Sequence, residues 1–175
     1  MASSSTKMER IHSPKRLRQL TGISQTDYDS WRRTIRGAPE PFVKFTNGDV
    51  LAYQVIRFFI FEAGVPLCDL KHLETEMIFK ACNVNFSKLK HWRLIYNSET
   101  NSLALLHEDQ PNPKVKYLIR IKEAPLKILI EENVDANRKV VPIMDGIGNA
   151  EDADALRELS AMSSVVSVDS TSSVA

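Results

Sequence analysis

Gln25 and Thr26 open a stretch, QTDYDSWRRTI, whose apolar residues fall at helical spacing. A glutamine amide can pair bidentately with adenine, and a threonine methyl can meet the thymine methyl. Two such residues in the first turn of a helix therefore have the chemistry to read base edges in a major groove. Ser24 sits just before them as a helix cap, at the same end of the helix. Arg32, Arg33 and Arg36 follow toward the far end, where phosphate is the natural partner of a guanidinium. Upstream, Lys15, Arg16 and Arg18 are cations suited to the flanking phosphate backbone, and Lys44 is the obvious cation of the proline-broken segment downstream. Across residues 7–37 eight cations stand against three anions, a local charge of +5. Across residues 145–175 six anions stand against one cation, a local charge of −5, although the whole chain carries only +1. That asymmetry points to an anionic partner at the front and an acidic tail able to engage a protein partner behind.

Other chemistries are weaker. Cys68 and His72 stand four residues apart, and with Cys82 and His91 they number the four ligands of a tetrahedral zinc site. The chain has no C-x-x-C pair, however, and a buried cysteine ordinarily acts as a small hydrophobe, so no metal is expected. GIGNA, residues 146–150 before a helix, has the look of a nucleotide-binding turn, but Asp145, Glu151, Asp152 and Asp154 surround it, and Asn149 reads better as a plain helix cap. There is no G-x-S-x-G, H-E-x-x-H or P-loop, and the four histidines are scattered, so neither an enzyme nor a cofactor is expected. Tyr28 and Trp31 share a helical face with Ile35 and are expected in the core rather than as stacking platforms.

These side chains need elements to hold them. Ser13 and Pro14 start a short helix over PKRLRQL, Thr21-Gly22 ends it, and Ser24 caps the next. Helix, tight glycine turn, helix is the helix-turn-helix arrangement. Prolines at 39 and 41 break the chain, and FVKF alternates like a short strand. Thr46 caps a long apolar helix that ends near Gly64, and Pro66-Leu67 begins another predicted to run to about Asn83. Residues 92–96 and 103–106 predict a β-hairpin, KVKYLIRIK predicts a strand with Val115, Tyr117, Ile119 and Ile121 on one face, and Pro125 opens a helix. On that strand Lys114, Lys116, Arg120 and Lys122 would face the other way, extending a DNA surface or defending a sheet edge. Residues 150–162 predict a weak helix inside a polar, Ser-rich tail.

From about Ser13 to Leu73 the chain resembles the MerR-like winged helix-turn-helix family. The resemblance rests on LRQLTGIS, the aromatic of YDSW, the proline-broken segment, and TNGDVLAYQVIRFFIFEAGVPLCDLKHL, in that order and spacing. It implies a first helix, a recognition helix, a wing and a Thr-capped helix that together bind duplex DNA. Asp29 and Ser30 stand where the family places an arginine and an aromatic, and the chain turns to a hairpin by Trp92 where classical members run into a coiled coil. Metal and drug sensing therefore do not carry over.

The expected organisation is α+β, mainly α. A flexible lead (1–12) precedes a winged helix-turn-helix (13–83), a small β-hairpin, strand and helix subdomain able to dimerise (84–140), and an acidic, largely disordered tail (141–175). The core is expected from Leu17, Leu20, Ile23, Tyr28, Trp31, Val50, Ile56 and Phe59. The expected function is sequence-specific binding of double-stranded DNA by a homodimeric transcriptional regulator. The alternative is a protein-interaction or excisionase-like architectural factor of phage or plasmid type. Two distant cysteines, no apolar run near about 18 residues and no apolar leader suggest a cytoplasmic, nucleoid-associated protein without a membrane partner.

Overall fold

A computed structural model describes residues 8–40, 43–138 and 150–164. The Ser13 hydroxyl accepts from the Arg16 amide and starts α1 (Pro14–Thr21), with Pro14 in the first turn, where no amide hydrogen is needed. Gly22 ends α1 in the left-handed region at φ 68°, and its N–H donates to the Arg18 carbonyl. Ser24 then caps α2 (Gln25–Thr34) by accepting from the Asp27 amide at 3.0 Å. The lead is tied down sooner than expected. The Ile11 and His12 amides both donate to the Phe45 carbonyl at 3.0 Å, the Phe45 amide returns a bond to His12, and His12 is buried. FVKF thus contributes a single antiparallel bridge, at Phe45, between a segment before α1 and the one before α3.

Thr46 and Asp49 form a reciprocal capping box at the start of α3 (Asn47–Arg57). Asn83 completes it from another element, donating to Asp49 Oδ1 at 2.9 Å and to the Phe79 carbonyl at 2.8 Å while accepting from the Thr46 hydroxyl. Gly48 lets this crossing happen: a Cβ there would lie 2.5 Å from the Cys82 carbonyl oxygen and 2.7 Å from the Asn83 Cα. Buried Val50, Leu51, Tyr53, Val55 and Ile56 cover most of the circumference of α3, as its composition predicts. The helix widens into a π-helical turn over Phe58–Glu62, and Gly64 ends it at φ 70°.

The single helix expected from Leu67 to about Asn83 is instead α4 (Leu67–Lys71) and α5 (Glu76–Cys82). Between them Thr75 turns fully inward and its hydroxyl donates to the Arg36 carbonyl at 2.9 Å, so a tertiary bond wins over helix continuation. A short α6 (Phe86–Leu89) follows. The predicted hairpin forms from β1 (Trp92–Asn97) and β2 (Ser102–His107), in register from Trp92 opposite His107 to Asn97 opposite Ser102. The strand predicted from KVKYLIRIK is largely absent. Prolines precede it, Leu118–Arg120 coils into a 3-10 turn, and only β3 (Ile121–Glu123) pairs with β1, giving the antiparallel order β2-β1-β3. Tyr117, expected inward, is 55 % exposed.

Helix α7 (Leu126–Arg138) packs on α3 and β1. Helix α8 (Ala150–Ser164) packs on β2, α5 and α6. The acidic segment is therefore not uniformly loose. Leu156 is wholly buried and Leu159 half-buried, an apolar anchor that the segment's charge conceals. The disorder expected over 141–149 and 165–175 lies outside the described residues, as do residues 1–7 of the lead and the GIGNA turn. The fold is mixed α+β and mainly helical. Its interior is continuous across the expected boundary near residue 84, where the Phe59 and Tyr96 rings lie 6.3 Å apart. The expected core residues are all buried except Leu20, which is partly so. Among the described residues no helix is long and apolar enough to cross a membrane.

Candidate nucleic-acid interface

Helix α2 has two faces. Tyr28, Trp31 and the capping Ile35 point inward and are buried. Trp31 meets the Phe61 ring at 5.8 Å, and Tyr28 meets Phe45 and Tyr53 at 6.3 and 6.0 Å. On the other face Gln25, Thr26, Ser30 and Arg33 are exposed. Thr26, Asp29, Ser30, Arg33 and Thr34 line an open groove of about 410 Å³ along it.

Within that face the polar groups are already organised. The Gln25 amide donates to Asp29 Oδ2 at 2.8 Å, one helical turn away. Arg33 Nε donates to the Asp29 carbonyl oxygen at 3.1 Å. The Ser24 hydroxyl donates to Asp27 Oδ2 at 2.6 Å while capping the helix, so it is closed within its own turn. Asp29 therefore holds Gln25 by its carboxylate and Arg33 by its backbone. A purine edge would have to draw the Gln25 amide off that carboxylate, which would then stand ready to accept from a cytosine amino group.

The remaining cations divide. Lys15 and Lys44 are exposed, and Arg16 is half-buried over the Ser13 cap. Arg18 on α1 and Arg32 on α2 are half-buried, each with an Nε that is shut off from solvent and has no hydrogen-bond partner. The hydroxyls of Tyr28 and Tyr53 are also buried without a partner. Burial pushes the Tyr28 phenol above its ordinary value of 10.0, with Asp29 acting in the same sense and the charges of Arg32 and Arg18 pulling against it. Arg36 belongs to a different surface, a groove of about 210 Å³ shared with Glu74, Glu76, Met77 and Lys80 and with Leu159 and Met162 of α8. The structure thus gathers Gln25, Thr26 and Arg33 on one face and leaves Arg36 apart from them. The cations expected on a strand at 114–122 are not so aligned: Lys116 instead lies over its neighbour Tyr117, 5.5 Å from the ring centre.

Three of the four residues weighed as zinc ligands have distinct surroundings. Cys68 is exposed, whereas Cys82 is enclosed, and burial drives its thiol far above the ordinary range, against the thiolate a metal needs. His91 Nδ1 is 2.8 Å from Glu108 Oε1. Among the described residues no three His, Cys, Asp or Glu side chains gather as a metal site.

The reading from residue types assigned Tyr28 only to the core and overlooked Tyr53. One signal was available: Tyr28 and Arg32 are a single helical turn apart and so share a face. Nothing in the sequence brings Tyr53 of α3 to the same place. No family model matches the chain, and no curated protein or solved structure matches it.

Proposed function

We propose that the chain binds double-stranded DNA, with α1 and α2 as a helix-turn-helix and the segment around Lys44 and Phe45 as its wing, and that it acts as a homodimeric transcriptional regulator. One observation carries the reading: α2 buries its aromatic face against α3 and the Phe45 bridge while Gln25, Thr26, Ser30 and Arg33 stand exposed on the other. A helix seated in this way can enter a major groove without rearranging its core. Lys15, Arg16 and Arg18 on the preceding helix supply phosphate contacts, and Arg32 and Arg33 supply more. The dimer is supported by Tyr117, Leu118 and Ile128, large apolar side chains exposed beyond the hairpin.

Selection of duplexes from a random pool, followed by salt titration, tests the proposal. Five phosphate contacts per protomer predict a log–log salt slope of about −4.5 for each protomer, or about −9 for the homodimer. Gln25→Ala should cost about 1–3 kcal/mol on the selected site and relax discrimination there, whereas Arg33→Ala should weaken all sequences alike. A chain that retains no duplex at low salt refutes the reading.

A further inference from the structure

Buried hydroxyls and guanidinium N–H groups almost always find partners, because leaving one unmade forfeits the hydrogen bond it had in water. Among the described residues five such groups lack one: Arg93 Nε, apart on β1, and a set of four, Arg18 Nε, Tyr28 Oη, Arg32 Nε and Tyr53 Oη. The four are neighbours rather than scattered exceptions. The rings of Tyr28 and Tyr53 lie 6.0 Å apart, and both rest edge-on against Phe45. Arg32 follows Tyr28 by one turn on the same helix face. The Arg32 charge also acts on both hydroxyls, and the Arg18 charge acts on that of Tyr28. Both tyrosines are more than nine-tenths buried, at 4 % and 1 % exposure. The two arginine side chains are half-buried while all four donor atoms are closed to solvent, so an ion reaches them only as those side chains swing aside.

Two guanidinium N–H donors and two phenolic O–H donors beside a doubled positive charge match a tetrahedral oxyanion. Two acids act on these hydroxyls, Asp29 on Tyr28 and Asp49 on Tyr53; the Asp29 carboxylate is engaged by the Gln25 amide, and that of Asp49 by the Thr46 amide and the Asn83 side chain. We propose that Arg18, Tyr28, Arg32 and Tyr53 form a recessed phosphate subsite between α1, α2 and α3, which takes either a backbone phosphate of a duplex or free phosphate. Only the choice of the duplex as source rests on the DNA-binding reading above. The site changes the role of Tyr28, which becomes a phosphate donor as well as a core ring. A phosphate carries no base identity, so the contact sets position and affinity rather than sequence preference.

The test uses the full chain in chloride buffer, with inorganic phosphate added at constant ionic strength. The melting temperature and the arginine Nε–H resonances are followed for the wild type, Tyr28→Phe and Arg32→Gln. Tyr28→Phe keeps the ring and removes only the oxygen, so its folding is preserved. At about ten times its dissociation constant, phosphate should raise the wild-type melting temperature by about 3–5 °C and shift two Nε–H signals. Both responses should shrink to about a third or less in the two variants. In a parallel titration with a duplex, Tyr28→Phe should weaken binding about tenfold, equally on matched and mismatched sequences. A phosphate response so reduced in the variants, in a chain that binds no duplex, keeps the subsite with free phosphate as its ligand and rejects the DNA-binding reading. Duplex binding unchanged in both variants, with no phosphate response in the wild type, overturns the subsite and leaves DNA binding standing. A phosphate response equal in wild type and Tyr28→Phe also overturns it, because the ion then binds elsewhere.

Discussion

Replacing Tyr53 by phenylalanine should make the protein more stable in phosphate-free buffer. The ring is 1 % exposed and is held by Tyr28 at 6.0 Å, Phe45 at 6.1 Å and Phe79 at 5.6 Å. Phenylalanine keeps each of those contacts, and only the unpartnered hydroxyl is lost. A buried polar group without a partner costs about 1–3 kcal/mol, so the variant should gain about 1–2 kcal/mol. For a chain of this size that is about 2–8 °C in melting temperature. Urea unfolding should show a higher midpoint at an unchanged slope. The pH dependence gives a second reading of the same group. Burial holds the Tyr53 phenol well above its ordinary 10.0. Its contribution is therefore complete below about pH 10 and is lost as the unfolded phenol ionises above it. The phenylalanine variant should lack that alkaline loss. A variant destabilised by about 1 kcal/mol or more would refute the reasoning, because the hydroxyl would then have a strong partner.

Trp31→Ala should cost about 3–5 kcal/mol in urea unfolding, since the indole is 2 % exposed and packed under Phe61. Gly48→Ala should destabilise by about 1–3 kcal/mol and lower the melting temperature, because the new methyl meets the Cys82 carbonyl and the Asn83 backbone rather than a flexible side chain. Leu156→Ala should cost about 2–5 kcal/mol, with faster amide exchange along α8; an unchanged midpoint would mean that the helix is not docked. The His91 hydrogen bond holds the Glu108 carboxyl below its ordinary 4.5, aided by the charges of His91, Lys127 and His107. That contribution is present above about pH 4.5 and fades as pH falls through the lowered value. In His91→Ala a side-chain NMR titration should find Glu108 moved back up.

The local elements were legible where capping and periodicity agreed. Ser13, Ser24 and Thr46 each cap the helix expected of them, and the hairpin from Trp92 has its predicted partners. The misses lie where a distant contact decides. Thr75 leaves the helical path for the Arg36 carbonyl, thirty-nine residues away in sequence. The alternation in KVKYLIRIK satisfies a strand pattern, but β1 pairs with only Ile121, Lys122 and Glu123. The acidity of residues 150–162 hid Leu156, because a single buried leucine scarcely changes a segment's average polarity. The face of α2 was readable from residue types. The pairing of Gln25 with Asp29 was also accessible from their four-residue spacing. The meeting of Tyr53 with Tyr28 was not readable, since it depends on how α3 crosses α2.

The docking of α8 on β2 has a consequence for the order in which the molecule is made. At roughly 5–20 residues per second, the ribosome delivers α8 about 2–9 s after the hairpin it covers. During that interval the N-terminal helices already hold their sequence-local caps, while β2 waits without its cover. A nascent chain stalled before residue 150 would therefore carry the helices of the candidate interface beside an uncovered sheet edge, a species that a chaperone would hold and a protease would cut.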